Sequence, residues 1–270
     1  MIVVTGATGN VGRPLVRALV EAGEEVTAVS RRDGDVPPGV RHVRADLADP
    51  QSLGPALDGA DALFLLTPGD FHAHGDLDKI VAMAGGVRRV VLLSSVGVGT
   101  GRHRPVFEEA VSRSQREWTI LRPGGFASNA LQWAEQVRTT RTVAAPFADV
   151  AIPLIDPDDI AAVAAVVLRE NGHGGRIYEL SGPAPISPRE QAAAIGAALG
   201  EPVRFVELTR EQARAQLLRF MPEPVADATL DALGSPLPAE LGTGADLRQL
   251  LGRPARPFLE WARRNVAAFR

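Results

Sequence analysis

Cysteine is absent from the 270 residues of this chain. That absence excludes a disulfide framework, a thiolate nucleophile and any cysteine-based metal site, and it leaves the redox compartment open. Lysine and tyrosine are nearly absent too. Lys79 is the only lysine and Tyr178 the only tyrosine; the other basic residues, histidine aside, are arginine. Excess positive charge is lacking, since the net charge is −3. A nucleic acid or an anionic membrane would favour a basic face, so neither is expected as a partner. Long apolar runs are missing as well. The longest smooth stretch, Ile160 to Leu168, falls well short of the roughly 18 residues that suggest a membrane span. Met1-Ile2-Val3-Val4 lacks the charged start and long apolar run of a signal peptide. A soluble, cytoplasmic protein is expected.

What is present is an ordinary globular composition, with 45% hydrophobic and 23% charged residues. The length suits one α/β unit. Short apolar runs alternate with helical patterns through the first half. Ile2–Thr5, Val26–Ser30, His42–Ala45, Ala62–Leu66, Val90–Ser95 and Thr119–Leu121 read as strands. Between them Val11–Ala22, Pro50–Leu57, Phe71–Ala84 and Val106–Ser114 read as helices. Strands rich in Val, Ile and Leu without alternation suit a parallel sheet buried on both faces. Their alternation with helices predicts a doubly wound, Rossmann-type α/β sheet.

The second half is less regular. Helices are expected over Phe126–Thr139, Asp158–Arg169, Thr209–Phe220 and Pro257–Phe269, and strands over Ile177–Leu180 and Val203–Leu208. Ser187-Pro188-Arg189-Glu190 reads as an N-cap, a first-position proline and a first-turn acid, opening a helix to Leu199. Met221–Gly244, rich in proline, glycine and small residues, is expected to be irregular. The expected organisation is one domain over 1–270. Its nucleotide-binding core lies mainly in 1–125 with returns near 143–182, and its smaller substrate cap mainly in 126–142 and 183–256.

"VTGATGNVG" (Val4–Gly12) carries three glycines, Gly6, Gly9 and Gly12, between the first strand and the first helix. Strand, tight glycine loop and helix form a dinucleotide-binding arrangement. One glycine permits the turn, one lets a pyrophosphate approach the backbone, and one lets helix and strand pack closely. The helix N-terminus then aims N–H groups and a positive dipole at the phosphates. Gly6, Thr8, Gly9, Asn10, Val11 and Gly12 are the expected cradle. The spacing is G-x-x-G-x-x-G, not G-x-G-x-x-G.

With its fillers, "TGATGNVG" resembles the short-chain dehydrogenase/reductase superfamily of the extended or atypical type. It resembles in particular the branch with NmrA-like proteins, quinone reductases and triphenylmethane-dye reductases. "ADLADPQSL" (Ala45–Leu53), "ADALFLLTP" (Ala60–Pro68), "VRRVVLLSSVGV" (Val87–Val98) and "WTILRPGGFASNAL" (Trp118–Leu131) agree, in the family's order. The later "IDPDDIAAVAAVVL" and "YELSGP" also look like that branch. The resemblance implies further contacts. Asp46 and Leu47 would lie near the adenine, and Thr67 and Pro68 would line the cofactor channel. Ser94 and Ser95 would border the nicotinamide, Pro123 and Gly124 would close over it, and Phe126 and Asn129 would face the substrate.

An NAD site places an acid at the end of the second strand, on the ribose 2′-hydroxyl; an NADP site places an arginine there. Here that strand ends "AVSRRDGD". Arg31 is the expected 2′-phosphate ligand and Arg32 the second choice, so NADP(H) is favoured over NAD(H).

Most dehydrogenases of the superfamily use a Tyr-x-x-x-Lys pair, whose phenol passes a proton to or from the substrate oxygen. This chain has none: Gly182 stands four residues after Tyr178, and Lys79 lies in an early helix. The corresponding segment reads "HRPVFEEAVSRS", with Glu108 or Glu109 on its helix. Alcohol dehydrogenation and sugar epimerisation are therefore not expected. A proton donor matters less when hydride addition gives a stable anion, as with a quinone, or when a dye carbocation is the acceptor. Positioning then supplies much of the catalysis. Phe126, Trp133 and Phe147 are candidates to line an apolar pocket for such an aromatic substrate, against the plainer reading of core packing.

"GDFHAHGD" (Gly69–Asp76) suggests a metal site, but His72 and His74 at i, i+2 point about 200° apart on a helix, and no metal is expected. Asp70 suits a helix N-cap. His72, His74 and His103 remain weak candidates for a substrate-side acid. Arg253, Arg256, Arg263 and Arg264 read as a solvated face or salt-bridge partners. The leading expectation is an NADPH-dependent reductase of a quinone-like or conjugated aromatic acceptor. The alternatives are a non-catalytic NmrA-like NADP(H) sensor and a secondary-metabolite tailoring enzyme; a homodimer is left open.

Overall fold

The computed structural model of the chain describes residues 1–68, 71 and 75–270. In chain order its strands are β1 (Ile2–Thr5), β2 (Val26–Ser30), β3 (Arg41–Arg44), β4 (Ala62–Leu66), β5 (Arg89–Leu93), β6 (Glu117–Pro123), β7 (Thr142–Pro146), β8 (Arg176–Leu180) and β9 (Arg204–Leu208). The chain forms two compact units. One holds Met1–Pro123, Pro157–Leu180 and Ala245–Arg253; the other holds Gly124–Asp156, Ser181–Gly244 and Pro254–Arg270.

The first unit is built on a parallel sheet in the order β3-β2-β1-β4-β5-β6-β8. β1 and β2 are buried throughout, and β4 and β5 along all but their last residue. Burial on both faces is why these strands are mostly apolar, with Thr5, Thr27, Ser30 and Arg89 as their buried polar positions. The helix Gly12–Glu21 buries Gly12, Leu15, Val16 and Leu19, a stripe at helical spacing. It packs against the helix Pro157–Arg169, which buries Ile160, Val163, Ala164, Val167 and Leu168. Ile80, Ala110 and Val111, from the helices Leu77–Met83 and Val106–Ser112, join Leu63, Leu65, Val90 and Leu92 of the sheet in one apolar core. The order runs outward from β1 in both directions, so a crevice opens at the C-terminal ends of β1 and β4.

The second unit pairs β7 with β9 in parallel. The side chains of Trp133, Val137, Val143, Ile195, Phe258, Trp261 and Phe269 form its core. Its helix Pro188–Leu199 starts with the capping box that the sequence signals, Ser187 and Glu190 each bonding the other's backbone N–H.

Several segments differ from the sequence expectation. Met221–Gly244 is not irregular: it holds the helix Glu223–Gly234 and a 3-10 turn, Pro238–Leu241. Pro224 sits in the first helical turn, where the missing N–H costs nothing, and Gly234 is the last residue. Phe126–Thr139 is not one helix but a 3-10 segment, Ala127–Trp133, followed by an α-helix, Ala134–Thr140. The Ala127 N–H, at the start of this segment, donates to the Ile155 carbonyl at 2.8 Å. Residues 143–156 do not return to the nucleotide core, because β7 finds its partner in β9. Ala245–Leu251 belongs to the first unit and not to a cap; it packs on β8, and Asp246 accepts the Glu179 N–H at 2.8 Å. Arg253 pairs with the fully buried Asp159 at 2.7 Å within the first unit, and Arg264 with Asp156 within the second. No helix among the described residues is long and apolar enough to cross a membrane.

Candidate functional site

The C-terminal edge of the first unit's sheet carries most of the residues singled out from sequence. After β1 the chain turns at Gly6, whose φ of +63° lies in the left-handed region that glycine enters at no steric cost. The Gly9 N–H closes the loop on the Gly6 carbonyl at 2.9 Å, and the Arg13 N–H returns to the Gly9 carbonyl at 3.0 Å. A Cβ on Gly12 would stand 2.1 Å from the Gly6 carbonyl oxygen and 2.7 Å from the Ala7 Cα, so only hydrogen fits there. Gly9 and Asn10 are exposed at the loop tip, and Thr8 is half-buried. Val11, the N-cap residue, is buried and gives the helix no side-chain hydrogen bond, and the first turn holds no acid. Neither the N-cap nor the first turn thus brings a side-chain anion to the positive end of the helix dipole, which suits an anion site. The loop fits a dinucleotide pyrophosphate.

After β2 the backbone is pinned. Ser30 Oγ donates to the Arg32 carbonyl at 2.6 Å and bonds His42 Nε2 at 2.8 Å. Arg44 Nε donates to the Arg31 carbonyl at 3.1 Å. Arg31 and Arg32 are exposed beyond this anchor. A Cβ on Gly34 would meet the Thr8 methyl at 2.3 Å, so the arginine turn lies against the glycine loop. Sequence reasoning missed Gly34, although a lone glycine in "RRDGD" was its signal.

After β3, Asp46 accepts the Ala48 N–H at 3.0 Å, and its own N–H donates to Ser52 Oγ at 3.0 Å. Asp46, Leu47 and Pro68 line one cavity of 420 Å³ together with Phe71 and Lys79. The sequence named the first three; Phe71 and Lys79 were missed as liners. Thr5 clasps β1 to β4 below, accepting the Leu66 N–H at 2.9 Å. Thr67 is half-buried just past that clasp.

After β5, Ser94 and Ser95 part in role. Ser95 caps the short helix Val96–Gly99, accepting the Gly97 N–H at 3.1 Å. Ser94 Oγ donates to Glu108 Oε1 at 2.5 Å. Arg122, one residue before the end of β6, grips the same carboxylate with Nε on Oε1 at 2.9 Å and Nη2 on Oε2 at 2.6 Å. Glu108 is buried, and its hydrogen bond raises the Arg122 pKa above the ordinary arginine value. Sequence reasoning could not choose between Glu108 and Glu109; burial chooses Glu108. Pro123 is buried at the end of β6.

His103 is exposed, with its ring seated over Gly97 and its backbone N–H donating to the Gly97 carbonyl at 2.9 Å. His72, His74 and Asp70 lie outside the described residues. The Tyr178 hydroxyl bonds His173 Nδ1 at 2.9 Å, and burial raises its pKa. Lys79 pairs with Asp76 at 3.2 Å. The tyrosine and the lysine therefore have separate partners.

In the second unit, Gly124 and Phe126 are half-buried and Asn129 is exposed. Phe147 is half-buried, at a φ of +56°. Of the two readings the sequence allowed for Trp133, its burial and its place in that unit's core favour the packing one.

A family model described as NAD(P)H-binding matches residues 6–171. The chain belongs to this NAD(P)H-binding family. It is 38% identical, over all of its length and 99% of the relative, to the (4-alkanoyl-5-oxo-2,5-dihydrofuran-3-yl)methyl phosphate reductase of Streptomyces griseus subsp. griseus. It is 34% identical, over the same shares, to the NAD(P)H azoreductase of Xenophilus azovorans. Among solved structures it is similar to the NADPH-dependent quinone oxidoreductase of Escherichia coli in complex with NADPH. There the TM-score is 0.80 and the identity 24%, over 98% of this chain and 99% of that one. The Citrobacter sp. triphenylmethane reductase gives a TM-score of 0.81 at 20% identity, with the same coverage. These two structures share the fold.

Proposed function

We propose that this member of the NAD(P)H-binding family is an NADPH-dependent reductase of conjugated, electron-poor acceptors whose reduced forms are stable anions. The observation that carries this reading is the pairing of a complete phosphate cradle with the absence of a tyrosine–lysine couple. Gly12 leaves no room for a Cβ beneath the loop, while Tyr178 and Lys79 are held by His173 and Asp76. The bound cofactor would supply hydride. The chain's part is to hold it by the loop Gly6–Gly12, and to favour the 2′-phosphate through Arg31 and Arg32. Pro68, Asp46 and Leu47 are the proposed walls of the adenine end. Ser94, Ser95, Pro123 and Gly124 are proposed for the nicotinamide end, and Phe126 and Asn129 for the acceptor.

The acceptors named for the two full-length relatives support the same chemistry. An azo bond takes hydride into an anion delocalised over its aryl rings. A 5-oxo-2,5-dihydrofuran with a 4-alkanoyl group has its C=C bond conjugated to two carbonyls, so hydride addition yields an enolate spread over both. Neither needs the strong proton donor that an alkoxide product demands. Positioning of the acceptor against the nicotinamide does most of the work.

The test is NADPH oxidation by the purified protein against quinones, azo and triphenylmethane dyes and acylated unsaturated lactones, with Gly9→Asp as control. Turnover that is lost in the control supports the reading. A protein that binds NADPH yet reduces none of these acceptors points instead to a dinucleotide sensor or to a tailoring enzyme of narrow specificity.

A further inference from the structure

Ser94 follows β5 directly, and its N–H continues the sheet by donating to the Leu121 carbonyl at 2.7 Å. The sheet itself therefore fixes its position. A serine hydroxyl has one proton and two lone pairs. The Ser94 proton goes to Glu108 Oε1 at 2.5 Å. Glu108 has no proton to return, because the Arg122 fork donates to both of its oxygens and an arginine keeps its charge. Glu179 stands 4.0 Å from the same guanidinium and adds a second negative charge. Ser94 itself is half-buried, so part of it stays open to a ligand. What it can offer there is a lone pair.

In a two-half dinucleotide fold the pyrophosphate lies at the loop after β1, and the second mononucleotide lies over the second half of the sheet. Here that half is β4-β5-β6, and β5 is its middle strand. On the nicotinamide ring the hydrogen-bond donor is the carboxamide NH2. We propose that Ser94 is a fixed hydrogen-bond acceptor for that carboxamide, with Glu108 and Arg122 as positioning residues that commit its proton. The proposal rests on the cofactor reading above. It also removes Ser94 as a source of protons for the acceptor, which suits acceptors that give stable anions.

The decisive ligand is the 3-acetylpyridine analogue of NADPH. It keeps the ring, carbonyl, ribose and phosphates but has a methyl group where the carboxamide has its NH2. Dissociation constants for both dinucleotides, measured by calorimetry, give a preference ratio. The wild-type protein should prefer NADPH by about three- to tenfold, the range of one neutral hydrogen bond. Ser94→Ala should bring the ratio near one by weakening NADPH and not the analogue. Glu108→Gln frees the hydroxyl to turn and donate to the acetyl oxygen, so the ratio should fall there because the analogue gains. A ratio in Ser94→Ala equal to that of the wild type overturns the proposal, and it decides alone if Glu108→Gln fails to fold. A folded Glu108→Gln with the wild-type ratio overturns the positioning role of Glu108. A wild-type protein that binds neither dinucleotide overturns the cofactor reading itself, which is a distinct result.

Discussion

Gly9→Ala and Gly12→Ala should separate cofactor binding from folding, although both alter the same loop. At Gly12 the new methyl would lie 2.1 Å from the Gly6 carbonyl oxygen and 2.7 Å from the Ala7 Cα. Both obstacles are backbone, so no rotamer change relieves them and the helix must move off the strand. Overpacking of this kind costs about 1–3 kcal/mol. For a chain of this size that lowers the melting temperature by roughly 2–6 °C. At Gly9 the nearest atom is the Gly6 carbonyl oxygen at 3.2 Å, and φ is not in the left-handed region. A shift of a few tenths of an ångström accommodates the methyl, and the stiffer unfolded chain offsets part of the strain. Stability should change by less than about 1 kcal/mol. The Gly9 methyl instead occupies space beside the exposed loop tip, where phosphate must approach. Losing one charge-assisted hydrogen bond of about 1.5–3 kcal/mol weakens NADPH about 10- to 150-fold. Thermal melts and calorimetric titration of both variants form the assay. A Gly9→Ala protein that binds NADPH like the wild type, or a Gly12→Ala protein that melts like it, would refute the reasoning.

Arg31→Glu should weaken NADPH by roughly 10- to 100-fold and NADH far less, because only the former carries a 2′-phosphate; equal losses in the two titrations would remove Arg31 from that role. Arg253→Met takes a cation from the fully buried Asp159, 2.7 Å away, and should cost about 2–4 kcal/mol, or several degrees in a melt. Arg138→Met breaks the exposed pair with Glu135 and the hydrogen bond to the Ala268 carbonyl, 2.8 Å long, and should cost about 0.5–1.5 kcal/mol, less than Arg253→Met. Asp61 is held below its ordinary pKa by a hydrogen bond from the N-terminal amine, Asp149 by one from Arg189, Asp227 by one from Arg214, and Glu190 by the Ser187 N–H. With folded pKa values below the unfolded ones, their contribution is complete above the ordinary carboxylate range. Denaturation midpoints should therefore hold from about pH 6 to 8 and decline as pH drops below about 4; a decline already between pH 7 and 6 would point to histidines instead.

Local chemistry made the cofactor half of this protein legible. Gly6, Gly9 and Gly12 act within one turn of chain, where spacing alone fixes geometry. The same holds for the Ser187 capping box, and for the strands β1, β2, β4 and β5, whose largely apolar, non-alternating runs announce burial on both faces. The absence of a Tyr-x-x-x-Lys pair was also a fact of sequence, and it narrowed the chemistry before any fold was known. Pairings between distant segments were not legible. β7 and β9 join residues about sixty positions apart, and neither strand encodes the other's register. Trp133 reads equally well as a substrate wall or a core filler until the packing around it is known. Pro224 and Gly234 read as breakers until their places at the ends of a helix are seen. Glu108 and Glu109 are equivalent as letters, yet a helix turns adjacent residues to different sides, leaving one buried against Ser94 and Arg122 and the other in solvent. The sequence by itself determined that the chain is built as a nicotinamide-dinucleotide binder. Only the tertiary structure decided that Ser94, Glu108 and Arg122 meet, because a carboxylate, a hydroxyl and a guanidinium from separate elements come within hydrogen-bonding distance only once the sheet has been assembled.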